Sequence, residues 1–180
     1  MTIVSEFRRK YHEKRYFVAK NLLPKEGTLL DIGCGRPCET MPHGSFLKYL
    51  GYGSGVDVFP IKGDNFYQCN VHKLPFKDNS FDVITALDVL EHIDNLDLAL
   101  KEIKRVLKRN GIFIFSTPTN NLLWNSIWYV WERTVGSYWK HDHLIELPKK
   151  TWIKILSKHF SIQKVQNFYG LIFFVRMKNV

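Results

Sequence analysis

Leu29-Leu30-Asp31-Ile32-Gly33-Cys34-Gly35 is the stretch around which the rest of the chain is organised. The run from Thr28 to Ile32 shows no period-two alternation, which predicts a short parallel strand covered by helices on both faces. Two glycines one residue apart, Gly33 and Gly35, end it. Without a Cβ the backbone can turn sharply there, and a ligand can lie against the main chain. A strand that stops at such a turn before a helix opens a crevice at its carboxyl end, where open α/β sheets hold ligands.

A second short apolar strand, Ser54 to Val58, carries Asp57 near its end. In nucleotide-binding α/β folds an acid at the end of the second strand accepts hydrogen bonds from ribose hydroxyls. Further on, Asn70-Val71-His72-Lys73-Leu74-Pro75-Phe76 leads through Asp78-Asn79-Ser80 into the apolar run Phe81 to Leu87.

In order and spacing these three stretches resemble the class I S-adenosylmethionine-dependent methyltransferases, in particular the group acting on small molecules and lipids. LDIGCG is similar to that family's first motif, and Asp57 to its ribose acid. NVHKLPFKDNSFDVI is similar to its D-A-x-x-L-P-F-x-D-x-S-F-D-x-V stretch. The resemblance is clear from about Leu29 to Thr119 and weaker towards His143. It implies an α/β, Rossmann-like sheet of seven strands, mostly parallel, with helices on both faces and a C-terminal antiparallel hairpin. It implies S-adenosylmethionine as the cofactor, with S-adenosylhomocysteine as the product.

Length and composition agree with one domain over residues 1–180, interrupted by an aromatic insertion at 119–147. Hydrophobic residues make up 45% and charged residues 24%, which excludes a disordered or fibrous chain. The net charge of +9 suits an anionic partner such as nucleic acid, anionic lipid or a phosphorylated substrate; a basic surface with no dedicated partner is the plainer alternative. Cys34, Cys38 and Cys69 are too few for a disulfide framework, and no Cys/His cluster completes a zinc site, so no metal is expected. The charged start has no signal-peptide pattern and no window reaches 18 apolar residues. The expectation is a cytoplasmic protein without a spanning helix.

In chain order, Phe7 to Leu23 predicts a basic, aromatic helix with Phe7, Tyr11, Lys14 and Val18 near one face and Arg15 elsewhere. Arg36 to His43 carries two prolines and delays the next helix to about Gly44–Tyr49. The third strand is expected at Phe66 to Cys69 and the fourth at Phe81 to Leu87, followed by a turn and partial helix from Asp88 to Ile93. A helix from Leu96 follows, capped by Asn95 or Asp94 and ended by Asn110-Gly111. The fifth strand is Ile112 to Ser116, the last helix Pro148 to His159, and the closing strands Ser161 to Phe168 and Leu171 to Met177.

By the resemblance, Gly33, Cys34 and Gly35 would let the cofactor approach the backbone, and Asp31 would orient that loop or reach the ammonium group. Asp57, with Val58 beside it, would take the ribose. Asn70 stands where the family often has Asp, and its carbonyl can still accept from the adenine amino group. Val71 would offer its N–H to the ring and Leu87 would line the methionine arm. Each of these has a core-packing or loop-capping alternative.

Methyl transfer is a displacement at carbon that chiefly needs the acceptor held in line. A base is required only where the acceptor must lose a proton. The candidates for that role are His143 and His92, with His141 behind them. His143-Leu144-Ile145-Glu146-Leu147 is similar to the family's H-x-R-x-F stretch, with Ile145 and Leu147 in place of Arg and Phe. The Trp-rich segment 124–139 reads as a lid over an apolar acceptor pocket, as core, or as an interfacial helix in peripheral contact with a membrane.

The acceptor is therefore expected to be a small or lipid-like molecule. An RNA or other nucleic-acid methyltransferase is the alternative, on charge alone. Strand four ends Ala86-Leu87-Asp88-Val89 rather than in an N/D-P-P-Y motif, which speaks against exocyclic-amine base methylation. A non-catalytic S-adenosylmethionine-binding protein is a third reading. A dehydrogenase is disfavoured because the third glycine needed for pyrophosphate approach is missing. The oligomeric state is not assigned by the sequence.

Overall fold

The computed structural model describes residues 3–35, 46–60, 63–119, 121, 126, 129 and 145–180. Among them the strands are β1 Leu29–Ile32, β2 Ser54–Asp57, β3 Phe66–Gln68, β4 Phe81–Leu87, β5 Leu107–Pro118, β6 Ser161–Phe168 and β7 Ile172–Lys178. The helices are α1 Ile3–Lys20, α2 Phe46–Leu50, α3 Leu96–Val106 and α4 Lys149–Leu156. The seven strands make one sheet in the order β3-β2-β1-β4-β5-β7-β6. Pairs from β3 through to β5 are parallel, and β7 runs antiparallel to both β5 and β6. This is the architecture that the family resemblance implied.

The absence of alternation in the sequence has its cause in two cores. Leu30, Ile84 and Phe113 face one side, packed on Ala99, Leu100 and Ile103 of α3 and Trp152 and Leu156 of α4. Their chain neighbours Leu29, Val83 and Ile112 face the other, packed on Tyr16, Ala19, Phe46 and Leu47. Successive strand residues point to opposite faces, so a strand covered on both is apolar throughout. Each large side chain so buried contributes about 1.5–3 kcal/mol. The stacking of Phe115 and Trp152, ring centres 4.9 Å apart, is one such contact.

Two boundaries differ from the sequence reading in an instructive way. α3 ends at Val106, short of Asn110-Gly111. The N–H groups of Asn79 and Ser80, just before β4, donate to the carbonyls of Arg105 and Val106 at 2.9 and 2.8 Å. The terminal carbonyls of the helix are thus satisfied by another segment, and no glycine cap is needed. Leu107 then pairs with Phe81, so β5 begins well before Ile112 and runs on to Pro118. At the other end of α3, Asn95 is the cap, its Oδ1 accepting from the Leu98 N–H at 3.2 Å.

α1 also departs from the expected orientation. Tyr16 and Ala19 are buried, Arg15 is buried with them, and Lys14 is exposed. The inward face is the Tyr11-Arg15-Ala19 row with Tyr16, rather than the row through Lys14. No helix among the described residues is long and apolar enough to cross a membrane. Residues 36–45, His141, His143 and the Trp-rich 124–139 segment lie outside the described residues, apart from exposed Ser126 and Tyr129.

The chain runs from β1 to β2 and β3 on one side, then returns to place β4 on the other side of β1. The strand order reverses between β1 and β4. A crevice outside the carboxyl ends of these two strands is where open α/β sheets bind ligands.

Candidate cofactor site

The turn after β1 is held by its neighbour β2. The N–H groups of Gly33 and Cys34 both donate to the carbonyl of Val56, at 2.8 and 3.1 Å. Gly33 and Gly35 have φ of +63° and +64°, a region open to glycine at no steric cost. A Cβ on Gly33 would lie 2.4 Å from a Val89 methyl, so the residue is also required by packing under the turn. Cys34 points away from the crevice: it is buried, and a Cβ on Gly55 would meet its sulfur at 2.6 Å. Burial, with Asp31 and Asp57 nearby, pushes its thiol pKa up. Cys34 can serve a ligand only through its backbone, whose N–H is already used.

Asp57, at the end of β2, ties this turn to its own strand. One carboxylate oxygen accepts from the Gly35 N–H at 2.9 Å and the other from the Phe59 N–H at 3.1 Å. The carboxylate is thereby fixed beside the glycine turn, with lone pairs left for further donors. Val58, next along, is exposed. Asn70 is exposed, and its Oδ1 accepts from the His72 N–H at 3.0 Å in a local turn. Val71 and Leu87 are buried, one in each core.

At the end of β1, Asp31 is buried and its Oδ1 accepts from the Thr85 hydroxyl at 2.5 Å. Burial pushes its carboxyl up to about 7, against the opposing effects of Thr85 and the Arg15 charge. At the end of β4, Asp88 sits in the left-handed region with φ of +57°. Ser116 of β5 holds it there twice. Its carbonyl accepts from the Asp88 N–H at 2.9 Å, and its hydroxyl donates to Oδ1 at 2.6 Å. The other Asp88 oxygen takes a buried ion pair with Arg15 from α1.

Glu91 follows in the single 3-10 turn Leu90–His92. It is buried, and neither carboxyl oxygen has a hydrogen-bond partner among the described residues. Burial, then the Asp88 charge, raises its pKa well above the usual range. His92, the last residue of that turn, is exposed. Ile145 N–H donates to the Glu91 carbonyl at 2.9 Å, which brings the end of the His143-to-Leu147 stretch onto this turn.

The carboxyl edge of β2, β1 and β4 therefore gathers Asp57, the glycine turn, Asp31, Asp88, Glu91 and Arg15. Arg15 was placed off the helix face by the sequence reading. The i,i+4 row Tyr11-Arg15-Ala19 was the signal that could have found it. Asp88 and Glu91 stood in the turn after β4 without an assigned role. Among the described residues no group of three His, Cys, Asp or Glu is arranged to hold a metal ion. A hollow bounded by Asp78, Arg105 and Arg109 opens at the opposite edge of the sheet and shares no residue with this constellation.

A glycine turn and an acid at consecutive strand ends, under a strand-order switch, define an α/β protein built to bind an adenosine-bearing cofactor. Residues 30–115 match the methyltransferase-domain family model. An uncharacterised protein of Methanocaldococcus jannaschii is 30% identical over 162 residues, covering 82% of this chain and 60% of that one. A ubiquinone/menaquinone biosynthesis C-methyltransferase of Cellvibrio japonicus is 46% identical over 61 residues, 32% of this chain and 24% of that one. A solved S-adenosylmethionine-dependent methyltransferase of Thermotoga maritima has the same fold, with a TM-score of 0.71 at 20% identity, covering 98% of this chain and 96% of that one. Residues 30–115, just under half of the chain, are thus similar to a methyltransferase domain, and the fold is the one shared by solved S-adenosylmethionine-dependent methyltransferases. The chain spans 60% or less of the length of the curated relatives named here.

Family and fold imply S-adenosylmethionine as the cofactor. The residues present fit it. Asp57 is held beside the glycine turn with lone pairs that could accept from ribose hydroxyls, and Asp31 is a buried acid that an ammonium group would relieve of its desolvation cost.

Proposed function

We propose that the chain transfers a methyl group from S-adenosylmethionine to a small-molecule or lipid-like acceptor. The observation that carries the reading is the Asp57 carboxylate, held by the Gly35 and Phe59 N–H groups beside the turn after β1. When bound, the cofactor supplies a sulfonium-activated methyl group. Asp57 accepts from the ribose hydroxyls, and Asn70 and Val71 border the adenine. The Gly33–Gly35 turn and Leu87 line the path of the methionine arm, and Asp31 takes its ammonium group. His92, exposed beside this edge, and His143 are the side chains available to accept a proton from an acceptor hydroxyl or enol. The likeness to a quinone-pathway C-methyltransferase supports an apolar acceptor activated at carbon.

Calorimetric titration with S-adenosylmethionine and S-adenosylhomocysteine, with NADH as control, tests the cofactor. Binding of the first two and not the third is expected. Radiolabelled methyl transfer into pools of isoprenoid phenols, sterols and RNA then tests the acceptor, and label in the first two is expected. Label confined to RNA would overturn the acceptor class in favour of the reading that the +9 charge suggests. Absence of cofactor binding by folded protein would overturn the enzyme reading.

A further inference from the structure

α1 has two faces, and only one of them belongs to the core. At about 100° per residue, the burial of Arg15, Tyr16 and Ala19 turns Phe17 to the outer crest of the helix. There it is 58% exposed. Lys14 and Lys20, three residues before and after it, are exposed as well. Lys14 Nζ lies 5.8 Å from the centre of the Tyr169 ring, on the turn between β6 and β7. Lys20 Nζ lies 6.0 Å from the centre of the Tyr49 ring, in α2. Both tyrosines are exposed. Tyr169, Lys14, Phe17, Lys20 and Tyr49 thus follow one another across the outside of the helix.

The charge on this ridge is not cancelled. Arg9 and Lys10, earlier in α1, are neutralised by Glu13 and Glu6 at 2.9 Å each. Lys14 and Lys20 stand over rings, with no carboxylate at ion-pair distance among the described residues. A lone exposed phenyl ring needs no explanation, but one bracketed by two unpaired cations and two tyrosines makes a patch. The crest of a helix is convex, whereas single-stranded nucleic acid is held in grooves that track its phosphates. A convex ridge with these residues fits a flat anionic interface. The phenyl ring can sink past the headgroups, the tyrosines sit among them, and the lysines keep their ammonium groups at the phosphates. The ridge also reaches the edge where the cofactor crevice opens. The Tyr169-Gly170 turn is tied to Thr119, just past β5, whose hydroxyl donates to the Gly170 carbonyl at 2.5 Å.

We propose that the outer face of α1, with Tyr169 and Tyr49 beside it, docks the protein on an anionic phospholipid surface. As a surface it stands on α1 and its neighbours alone. As a route to the acceptor it rests on the lipid-like reading above, because docking brings the carboxyl edge of the sheet next to the bilayer.

The test is co-sedimentation with vesicles of mixed phosphatidylcholine and phosphatidylglycerol, against vesicles of phosphatidylcholine alone. The mixed vesicles should bind the protein, and binding should weaken as salt rises. Lys14→Gln with Lys20→Gln should weaken it about thirtyfold, each cation being worth about fivefold at a charged leaflet. Phe17→Ser should weaken it about tenfold, the ring sinking only in part, and leave the salt dependence unaltered. All three positions are exposed, so thermal midpoints should not move. Lys154→Gln with Lys158→Gln, exposed cations at α4 on the opposite face of the sheet, should change nothing. Equal weakening by the two double variants would mean diffuse charge attraction and overturns the proposal. Binding undiminished by Phe17→Ser overturns it too. If the protein ignores the vesicles but holds single-stranded RNA through Lys14 and Lys20, the ridge is an RNA surface and the proposal falls. Calorimetry with S-adenosylmethionine separates the two readings. Cofactor binding without vesicle binding ends the docking surface and leaves the methyltransferase reading standing. Vesicle binding without cofactor binding does the reverse.

Discussion

At the amino edge of the sheet, Asp82 accepts from the Thr28 N–H at 2.9 Å and its hydroxyl at 2.8 Å, and takes the Lys108 ammonium at 2.9–3.0 Å. Lys108 first, then Thr28, holds its carboxyl down to about 2. Nearby, Arg105 lies across Glu102 and Asp78 at 2.7 Å from each, and Glu102 also accepts from the Leu74 N–H at 2.8 Å. At the carboxyl edge, Asp31 and Glu91 are more deeply buried than any of these, less well partnered, and shifted the other way. The same sheet thus ends in satisfied carboxylates on one side and costly ones on the other. Satisfied groups hold strands and helices together. Groups kept at a cost in stability are of the kind that cluster at functional sites.

The sharpest way to break this comparison is a pair of substitutions read two ways. Asp57→Ala should cut affinity for S-adenosylhomocysteine about a hundredfold, roughly 2.7 kcal/mol, by calorimetry. Its effect on thermal unfolding should stay small, since it loses only two half-exposed turn hydrogen bonds. A variant that binds normally would remove Asp57 from the site.

Asp31→Asn comes next. A carboxyl whose folded-state pKa is raised costs nothing below its unfolded value near 4 and its full penalty above about 7. The unmodified protein should therefore lose stability from this group as pH rises from 4 to 7, and the variant should not. Denaturant midpoints should place the variant on the order of 2 kcal/mol higher at pH 8. That is about half of what three pKa units represent, because the new amide N–H2 needs an acceptor of its own. Equal midpoints across that range would mean that Asp31 is not held as a costly acid.

Asp82→Ala should do the reverse, with a loss of about 1–2 kcal/mol at pH 7 and unchanged cofactor affinity. Most of that comes from the Thr28 bonds, since the Lys108 pair is over a third exposed and adds under about 1 kcal/mol. The loss should fade as pH falls from 4 towards 2, where the native carboxylate is itself protonated. A drop in cofactor affinity would break the division between the edges.

The smallest effect sharpens the comparison from within the carboxyl edge. Asn95→Ala removes the α3 cap and should cost about 1 kcal/mol without altering cofactor affinity. Lost affinity would show that α3 takes part in the site.

Local chain chemistry fixed much of this molecule in advance. Apolar runs bounded by turn residues placed β1, β2, β3, β4 and β6 to within a residue at either end. The glycine pair and Asp57 marked the crevice, because a positive φ and a strand-ending acid are properties of the residues and their immediate neighbours. Asn95 as a cap was legible for the same reason. What sequence order could not supply was pairing at a distance. The early end of α3 depends on donors from Asn79 and Ser80. The inward turn of Arg15 depends on Asp88, 73 residues away. The raised pKa values of Asp31 and Glu91 depend on how much of the protein closes over them. Local propensity acts over a few residues. Desolvation and charge pairing act through space, so the costly acids and the buried arginine existed only once the sheet and α1 had come together.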